Sequence, residues 1–127
     1  MTLFGIGIDV VEVERIGSSL SQFGDSFEEK IFTEGEIDYC RRQKRPEVHF
    51  AARFAAKEAV SKTFGTGIGK DVGWRDIEVT RSDSGEPGIT LHGAAKAFAD
   101  RHGIAVLKIS LTHAQHYAAA NAVAMCD

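Results

Sequence analysis

The chain has 127 residues, and this length predicts a single domain spanning residues 1–127. Hydrophobic residues make up 43% and charged residues 26%, proportions that are typical of a soluble globular protein. The net charge of −3 argues against a general nucleic-acid-binding protein, because affinity for a polyanion usually needs a basic surface.

The sequence also argues against secretion and membrane insertion. The apolar run from Leu3 to Val11 contains Asp9 and lacks the basic start of a signal peptide. It is too short to span a bilayer. Cys40 and Cys126 form neither a metal-binding spacing nor a disulfide framework, so we interpret them as reduced thiols. We therefore expect a cytoplasmic protein.

The first predicted element is a β-strand over Thr2–Val11, because bulky and small residues alternate along it. One face carries Phe4, Ile6, Ile8 and Val10, and the other carries Gly5, Gly7 and Asp9. The second face is nearly bare, so we expect room beside its single carboxylate for something other than a side chain.

Helices and a few strands follow in chain order. Helical spacing and stop signals predict helices over Val13–Gly24, Asp25–Thr33, Glu34–Arg45 and Glu47–Phe64. Turn signals then predict a hairpin over Trp74–Gly93, a helix over Ala94–Gly103 and two further strands over Ile104–Met125. This order predicts an α+β fold, with a largely antiparallel sheet packed with several helices.

The long helix places two charges on an otherwise apolar face. Phe50, Phe54, Glu58 and Lys62 are each four residues apart, so they share roughly one side of the helix. One interpretation is a surface ion pair between Glu58 and Lys62, worth about 0.2–0.5 kcal/mol. The neighbouring alanines and phenylalanines instead indicate a packed face, where an ion pair alone stabilises poorly.

A glycine-rich segment, Phe64–Lys70, follows this helix directly. Its backbone amides are candidates to bind phosphate oxygens, with Lys62 or Lys70 supplying positive charge. The alternative is that Gly65 simply ends the helix. For Asp9, the alternative to a ligand-binding role is that it caps the helix that follows it.

Together these residues favour a magnesium–phosphate site. Magnesium usually takes one or two carboxylates, keeps several waters and completes its shell with substrate phosphates. The chain has no histidine–cysteine cluster of the kind that binds zinc. His113 and His116 would face opposite sides of a strand, which argues against a metal pair.

Two motifs resemble a known family. The segments GIGIDVVEVERI, residues 5–16, and RFAAKEAVSKTFGTGIG, residues 53–69, are similar to those of holo-(acyl-carrier-protein) synthases, in the 4′-phosphopantetheinyl transferase superfamily. The resemblance continues to the end of the chain. It implies transfer of the 4′-phosphopantetheine group from coenzyme A to a serine of apo acyl carrier protein, in support of fatty acid biosynthesis. Adenosine 3′,5′-bisphosphate is the expected leaving group.

The resemblance also implies roles for individual residues. Asp9 and Glu58 match the magnesium ligands, and Lys62 matches a lysine that contacts the phosphates. Glu58 is the candidate to help deprotonate the serine. The coenzyme A site is expected to include Arg45, Arg53, Lys62, Gly65, Thr66, Gly67, Pro87 and His113. Arg45 is the candidate contact for the 3′-phosphate. The alternative is that Arg45 is simply part of a basic, solvent-exposed helix end. Glu86 stands where many relatives carry a basic residue, which puts a nucleotide contact there in doubt.

The sequence also leads to expectations about oligomeric state and binding partners. The resemblance implies a homotrimer with active sites between subunits, and Arg15 as a contact for the acidic carrier protein. We expect no nucleic acid and no membrane as partners. A non-catalytic coenzyme A or nucleotide-binding module is one alternative, although the presence of Asp9, Glu58 and Lys62 together argues against it. A magnesium-dependent phosphohydrolase, which needs no protein partner, is another.

Overall fold

The computed structural model describes all residues, 1–127, and contains five strands and five helices. The first half comprises β1 (Thr2–Glu12), α1 (Val13–Phe23), α2 (Asp25–Ile31), α3 (Glu34–Arg41) and α4 (Pro46–Phe64). After a 3₁₀ turn (Trp74–Asp76) come β2 (Ile77–Arg81), β3 (Pro87–Leu91), α5 (Gly93–Arg101), β4 (Ile104–His113) and β5 (Tyr117–Cys126). The predicted α+β class and the predicted order of elements are confirmed.

The strands form two antiparallel sheets. β5 lies in the middle of a three-stranded sheet with the order β1-β5-β4, while β2 and β3 form a separate hairpin. The third helix is shorter than predicted: it ends at Arg41. The long helix begins at Pro46, whose missing N–H costs nothing in the first helical turn. None of the helices is long and apolar enough to cross a membrane.

The two cysteines are free thiols, as the sequence predicts. Cys40 is fully buried, and this burial raises its pKa to about 12. Because the thiolate is the reactive form, this side chain belongs to the core and is chemically inert.

The bare face of β1 packs directly against the backbone of α4. A Cβ atom at Gly7 would lie 2.1 Å from the carbonyl oxygen of Ala59, and one at Gly5 would lie 2.3 Å from that of Thr63. No side chain fits in that space. At Gly5 and Gly7 the helix itself occupies the bare face, so any open space on this face must lie farther along the strand, toward Asp9.

Small side chains on neighbouring elements complete this close contact. The buried alanines are Ala51, Ala52, Ala55, Ala56 and Ala59 on α4, and Ala118, Ala120, Ala122 and Ala124 on β5. The sheet and the long helix thus approach closely and together form the centre of the hydrophobic core.

Three residues of the bulky face of β1 point outward, whereas the fourth, Phe4, packs against the core and the ring of Phe98. Ile6, Ile8 and Val10 are 68%, 65% and 60% exposed, respectively. The neighbouring strand adds the partly exposed Val123 on the same side. Since monomeric proteins rarely expose continuous apolar patches of this kind, the face calls for a covering partner.

A buried ion pair joins the helices to the hairpin. Lys57 of α4 and Glu36 of α3 have side chains with 0% exposure, and their charged atoms lie 2.8 Å apart. Burial lowers the pKa of Lys57, and the carboxylate of Glu36 opposes this effect. Neither residue was singled out in the sequence.

The first prediction concerns Gly7. Because an added Cβ would collide with backbone atoms of α4, Gly7→Ala should lower the free energy of unfolding by about 3 kcal/mol or more. Gly17→Ala is the matched control, since its Cβ would lie 3.7 Å from the nearest atom, a Cβ of Glu47, in ordinary contact. That control should stabilise the protein by about 0.5–1 kcal/mol, because alanine favours the helix. Urea unfolding measures both, and equal stabilities would contradict the packing described.

Candidate active site

The contact between β1 and α4 brings Asp9 to Lys62. The Nζ atom of Lys62 lies 3.1 Å from Oδ1 of Asp9 and donates a second hydrogen bond to the carbonyl of Ile8, also at 3.1 Å. The cap of α1 is Glu12, without a side-chain hydrogen bond, so the alternative reading of Asp9 as a helix cap is wrong. Lys62 also forms its ion pair across the fold rather than with Glu58.

Glu58 is partly buried and its carboxylate accepts no hydrogen bond. Burial raises its pKa above the usual range, the negative charge of Asp9 adds to this rise, and Lys62 partly offsets it. A carboxyl group in this state holds a proton more readily than an exposed one. It is therefore a stronger base than an exposed carboxylate, which is the property a general base needs.

Asp9 and Glu58 line one cleft of about 350 Å³. Arg15 of α1 lines it as well, and its exposed guanidinium forms no ion pair within the chain. Phe27 and Phe54 contribute apolar walls. The residues predicted for metal and partner binding thus border the same cavity.

The two carboxylates fit a magnesium ion better than a softer metal. No group of three or more histidine, cysteine or acidic side chains is arranged to hold a metal. Asp9 and Glu58 offer oxygen donors from separate elements at one cleft, and the negative charge of Asp9 adds to the effect of burial in raising the pKa of Glu58. A cation bound between the two carboxylates would compensate their negative charges. Two carboxylates are enough protein ligands for magnesium, because phosphates and waters complete its shell.

The glycine loop, residues 65–73, begins as a helix cap. Gly65 adopts a left-handed conformation with φ of 79°, and its amide donates to the carbonyl of Lys62. The amides of Thr66 and Gly67 both donate to the carbonyl of Ser61, at 3.2 Å. The alternative reading of Gly65 as a helix end is confirmed, and these three amides are not free to bind phosphate. A Cβ at Gly65 or Gly67 would meet nothing within 4 Å, so the loop borders open space.

A second cavity lies at the other end of the site. Arg53, Pro87 and His113, which the sequence resemblance groups together, all line this cavity of about 200 Å³. His49 and Arg81 line it too, and neither was singled out in the sequence. Arg45 borders an adjoining cavity that shares His49 and His113 with the first.

Arg53 is a buried cation without a partner carboxylate. Its side chain is 3% exposed, its Nε atom has no hydrogen-bond partner, and its guanidinium lies 4.1 Å from the centre of the Tyr39 ring. Arg81 lies against the same ring, at 5.3 Å, and hydrogen-bonds to the tyrosine hydroxyl. Together with burial, Arg53 lowers the pKa of His49. This concentration of positive charge suits a phosphate group.

Part of the lining of this cavity could have been predicted from the sequence. His49 precedes Arg53 by one helical turn, so the two share a face of α4. Tyr39 and Arg81 come from α3 and the hairpin, and only long-range packing brings them to Arg53. Glu86 does not line the cavity; its carboxylate lies 3.9 Å from Lys108.

Comparison with known proteins identifies the family. The sequence profile of the 4′-phosphopantetheinyl transferase superfamily matches residues 5–122. The holo-(acyl-carrier-protein) synthase of Ruminiclostridium cellulolyticum is 47% identical over 119 residues, which cover 93% of this chain and 89% of that protein.

Solved structures agree with the sequence comparison. The crystal structure of the Neisseria meningitidis holo-(acyl-carrier-protein) synthase superposes with a TM-score of 0.90 at 32% identity, covering 97% of this chain and 98% of that one. The Helicobacter pylori synthase in complex with coenzyme A has a TM-score of 0.85 at 34% identity, covering 94% and 99%. The chain therefore belongs to the 4′-phosphopantetheinyl transferase superfamily, and the relatives it resembles along nearly its whole length are holo-(acyl-carrier-protein) synthases.

Proposed function

We propose that the protein transfers the 4′-phosphopantetheine group of coenzyme A to a serine of apo acyl carrier protein, in the cytoplasm and in support of fatty acid biosynthesis. The observation that carries this proposal is that Asp9 and Glu58 line one cleft while the ammonium of Lys62 lies 3.1 Å from the carboxylate of Asp9. The synthase of Helicobacter pylori, which this chain matches over nearly its full length, was solved in complex with coenzyme A.

The reaction is a phosphoryl transfer. The serine oxygen of the carrier protein attacks the phosphorus that bears the pantetheine arm. The bond from this phosphorus to the bridging oxygen breaks, and adenosine 3′,5′-bisphosphate leaves. Glu58 is the candidate to take the serine proton, directly or through a metal-bound water, because its carboxylate lines the cleft and accepts no hydrogen bond within the chain.

Lys62 and a magnesium ion would supply positive charge to the phosphates of coenzyme A. Lys62, half exposed beside Asp9, is positioned to contact the phosphates. Magnesium, held by Asp9 and Glu58, would supply a Lewis acid that neutralises charge on the pyrophosphate. Gly65, Thr66 and Gly67 would line the coenzyme A site through the open space beside them rather than through their amides.

The cavity around Arg53 is the proposed site for the nucleotide end of coenzyme A. The guanidinium of Arg53, which has no partner carboxylate, and His113 would face a phosphate of the nucleotide, and Pro87 would border the nucleotide. Arg45 would approach from the adjoining cavity, although it already contacts Glu47 and the carbonyl of Gln115. Arg81 lies beside Gly85 in the hairpin turn, so it supplies a positive charge near the position where Glu86 lacks one.

We also infer a homotrimer with active sites between subunits. The support is the exposed apolar face of β1, since the bare face and the alanine-rich helix are buried against each other within one chain.

The decisive experiment mixes the protein, magnesium, coenzyme A and apo carrier protein, and measures the intact mass of the carrier. We expect the added arm in the parent protein. Asp9→Asn and Glu58→Gln should each reduce transfer by about 100-fold or more while leaving thermal unfolding unchanged, because each removes a charged oxygen donor. Near-normal turnover by either variant would refute the shared site.

Two other outcomes of this assay would refute the proposal. Release of adenosine 3′,5′-bisphosphate without carrier protein indicates a phosphohydrolase, and binding of coenzyme A without any release indicates a non-catalytic binding module.

The assembly is tested by placing a charge on the exposed strand face. Ile8→Glu should convert a trimer into a monomer in light scattering, because three carboxylates would be buried at the interface. Transfer should fall with it. Ala97→Glu, which adds the same side chain at an exposed position of α5, is the control and should remain trimeric. A parent protein that is monomeric at micromolar concentration would contradict the inference.

Arg15 is the proposed contact for the carrier protein. It is exposed, lines the cleft and has no ion pair in the chain, so it is free to bind a carboxylate of an acidic partner. Arg15→Glu should raise the KM for the carrier protein and leave coenzyme A binding unchanged. The difference from the parent should shrink as salt is added, since screening weakens the long-range attraction.

Arg101→Glu serves as the control for this experiment, because Arg101 is exposed at the end of α5 and does not line the cleft. If the control raises the KM as much as Arg15→Glu does, the effect is one of net charge. If Arg15→Glu weakens the binding of coenzyme A as much as that of the carrier protein, Arg15 is not the contact for the carrier.

A further inference from the structure

The glycine loop is held at both ends by the same helix. At its start, the amides of Thr66 and Gly67 bind the carbonyl of Ser61 on α4. Immediately after its end, the carbonyl of Trp74 accepts a hydrogen bond of 3.0 Å from the ammonium of Lys57, also on α4. The second end is held by this ammonium, by the buried Val72 and by the carboxylate of Asp76, which accepts the amide of Gly73 at 3.0 Å.

All the hydrogen-bonding capacity of this ammonium is used. Besides the carbonyl of Trp74, Lys57 donates to the carbonyl of Ile77 and to the carboxylate of Glu36. An ammonium has three hydrogens to donate, so none is left over. The three acceptors lie on the 3₁₀ turn, β2 and α3, and this fixes the turn against α4 from three directions.

Glu36 is just as fully occupied. One of its oxygens also accepts the amide of Thr33 at 2.8 Å, and the other accepts the amide of Val79 at 2.7 Å. The carboxylate is thus held by α3 and β2 before it meets Lys57. We refer to Lys57 and Glu36 together as the Lys57–Glu36 clamp.

The clamp is connected to the cleft through aromatic packing. The ring of Trp74 lies against the ring of Phe54, with centres 4.8 Å apart and planes 31° from parallel. Phe54 forms part of the wall of the cleft that Asp9 and Glu58 share. Lys57 itself is fully buried and lines neither the cleft nor the nucleotide-end cavity.

We propose that Lys57, held by Glu36, is a positioning residue: it sets the shape of the glycine loop and of the Phe54–Trp74 wall, and thereby controls binding and turnover of coenzyme A without touching it. The proposal rests on the proposed function, in which this loop lines the coenzyme A site. A buried ion pair is often no more stabilising than apolar side chains of similar volume, whereas its hydrogen bonds are directional. The clamp therefore contributes mainly by orienting the 3₁₀ turn and the end of the glycine loop.

The test removes both charges together. In the double variant Glu36→Leu/Lys57→Met no charge is left unpaired in the core, so the chain is expected to fold. We expect the kcat to fall about tenfold or more and the KM for coenzyme A to rise, because small displacements of positioning groups are costly to catalysis. The KM for the carrier protein should not change. Lys96→Met/Asp100→Asn, which removes an exposed ion pair of α5, is the control and should behave like the parent.

Trp74 provides a readout that does not depend on activity. It is the single tryptophan of the chain, so its fluorescence reports the end of the loop alone. Quenching by acrylamide should increase in the folded double variant, since the 3₁₀ turn has lost its anchor. A folded double variant with parental quenching and a parental KM for coenzyme A would overturn the proposal.

Two other results are possible: the double variant does not fold, or the parent protein shows no transfer. If the double variant does not fold, Lys57→Arg, which keeps the charge but changes its reach, must show the same change in quenching and in kcat/KM for coenzyme A, or the proposal fails. If the parent transfers nothing to any carrier protein, the proposed function fails. The quenching comparison, made without substrate, then still supports or refutes the clamp.

Discussion

The approach of β1 to α4 is the constraint on which the site depends. Two glycines let the strand backbone rest on the helix backbone, with no side chain between them at Gly5 and Gly7. Because Asp9 follows on the same face of the strand, this contact delivers its carboxylate to Lys62 and to the cleft that Glu58 borders. A larger separation of strand and helix would separate the acidic groups as well.

Much of the fold follows from the sequence because its signals are local. The alternation in β1, the glycine stop after Phe64 and the turn residues of the hairpin each act within a few residues, and the structure contains the elements they predict. Alternation states which side chains share a face, but not which face will be covered. The face left bare by the glycines is covered by α4, which their alternation with bulky residues does not indicate.

The site was predictable in part for the same reason. Glu58 and Lys62 lie on one helix, and their shared neighbourhood follows from helical geometry. Lys57 was passed over, although a charge among buried alanines is itself a signal, since such a charge needs a partner. Its partner Glu36, like the pairing of Tyr39 with Arg53 and Arg81, is set by long-range packing that a single sequence does not reveal.

The two faces of β1 also protect the strand against misalignment. Side chains alternate along a strand, so a slip by one residue exchanges its faces. Such a slip would turn Ile6 and Ile8 toward a helix that leaves no space even for one methyl group, and would turn the glycines outward. The misaligned state is sterically excluded rather than merely less stable. The strand therefore carries its own check on register during folding, and the same two glycines that bring the acidic groups together provide it.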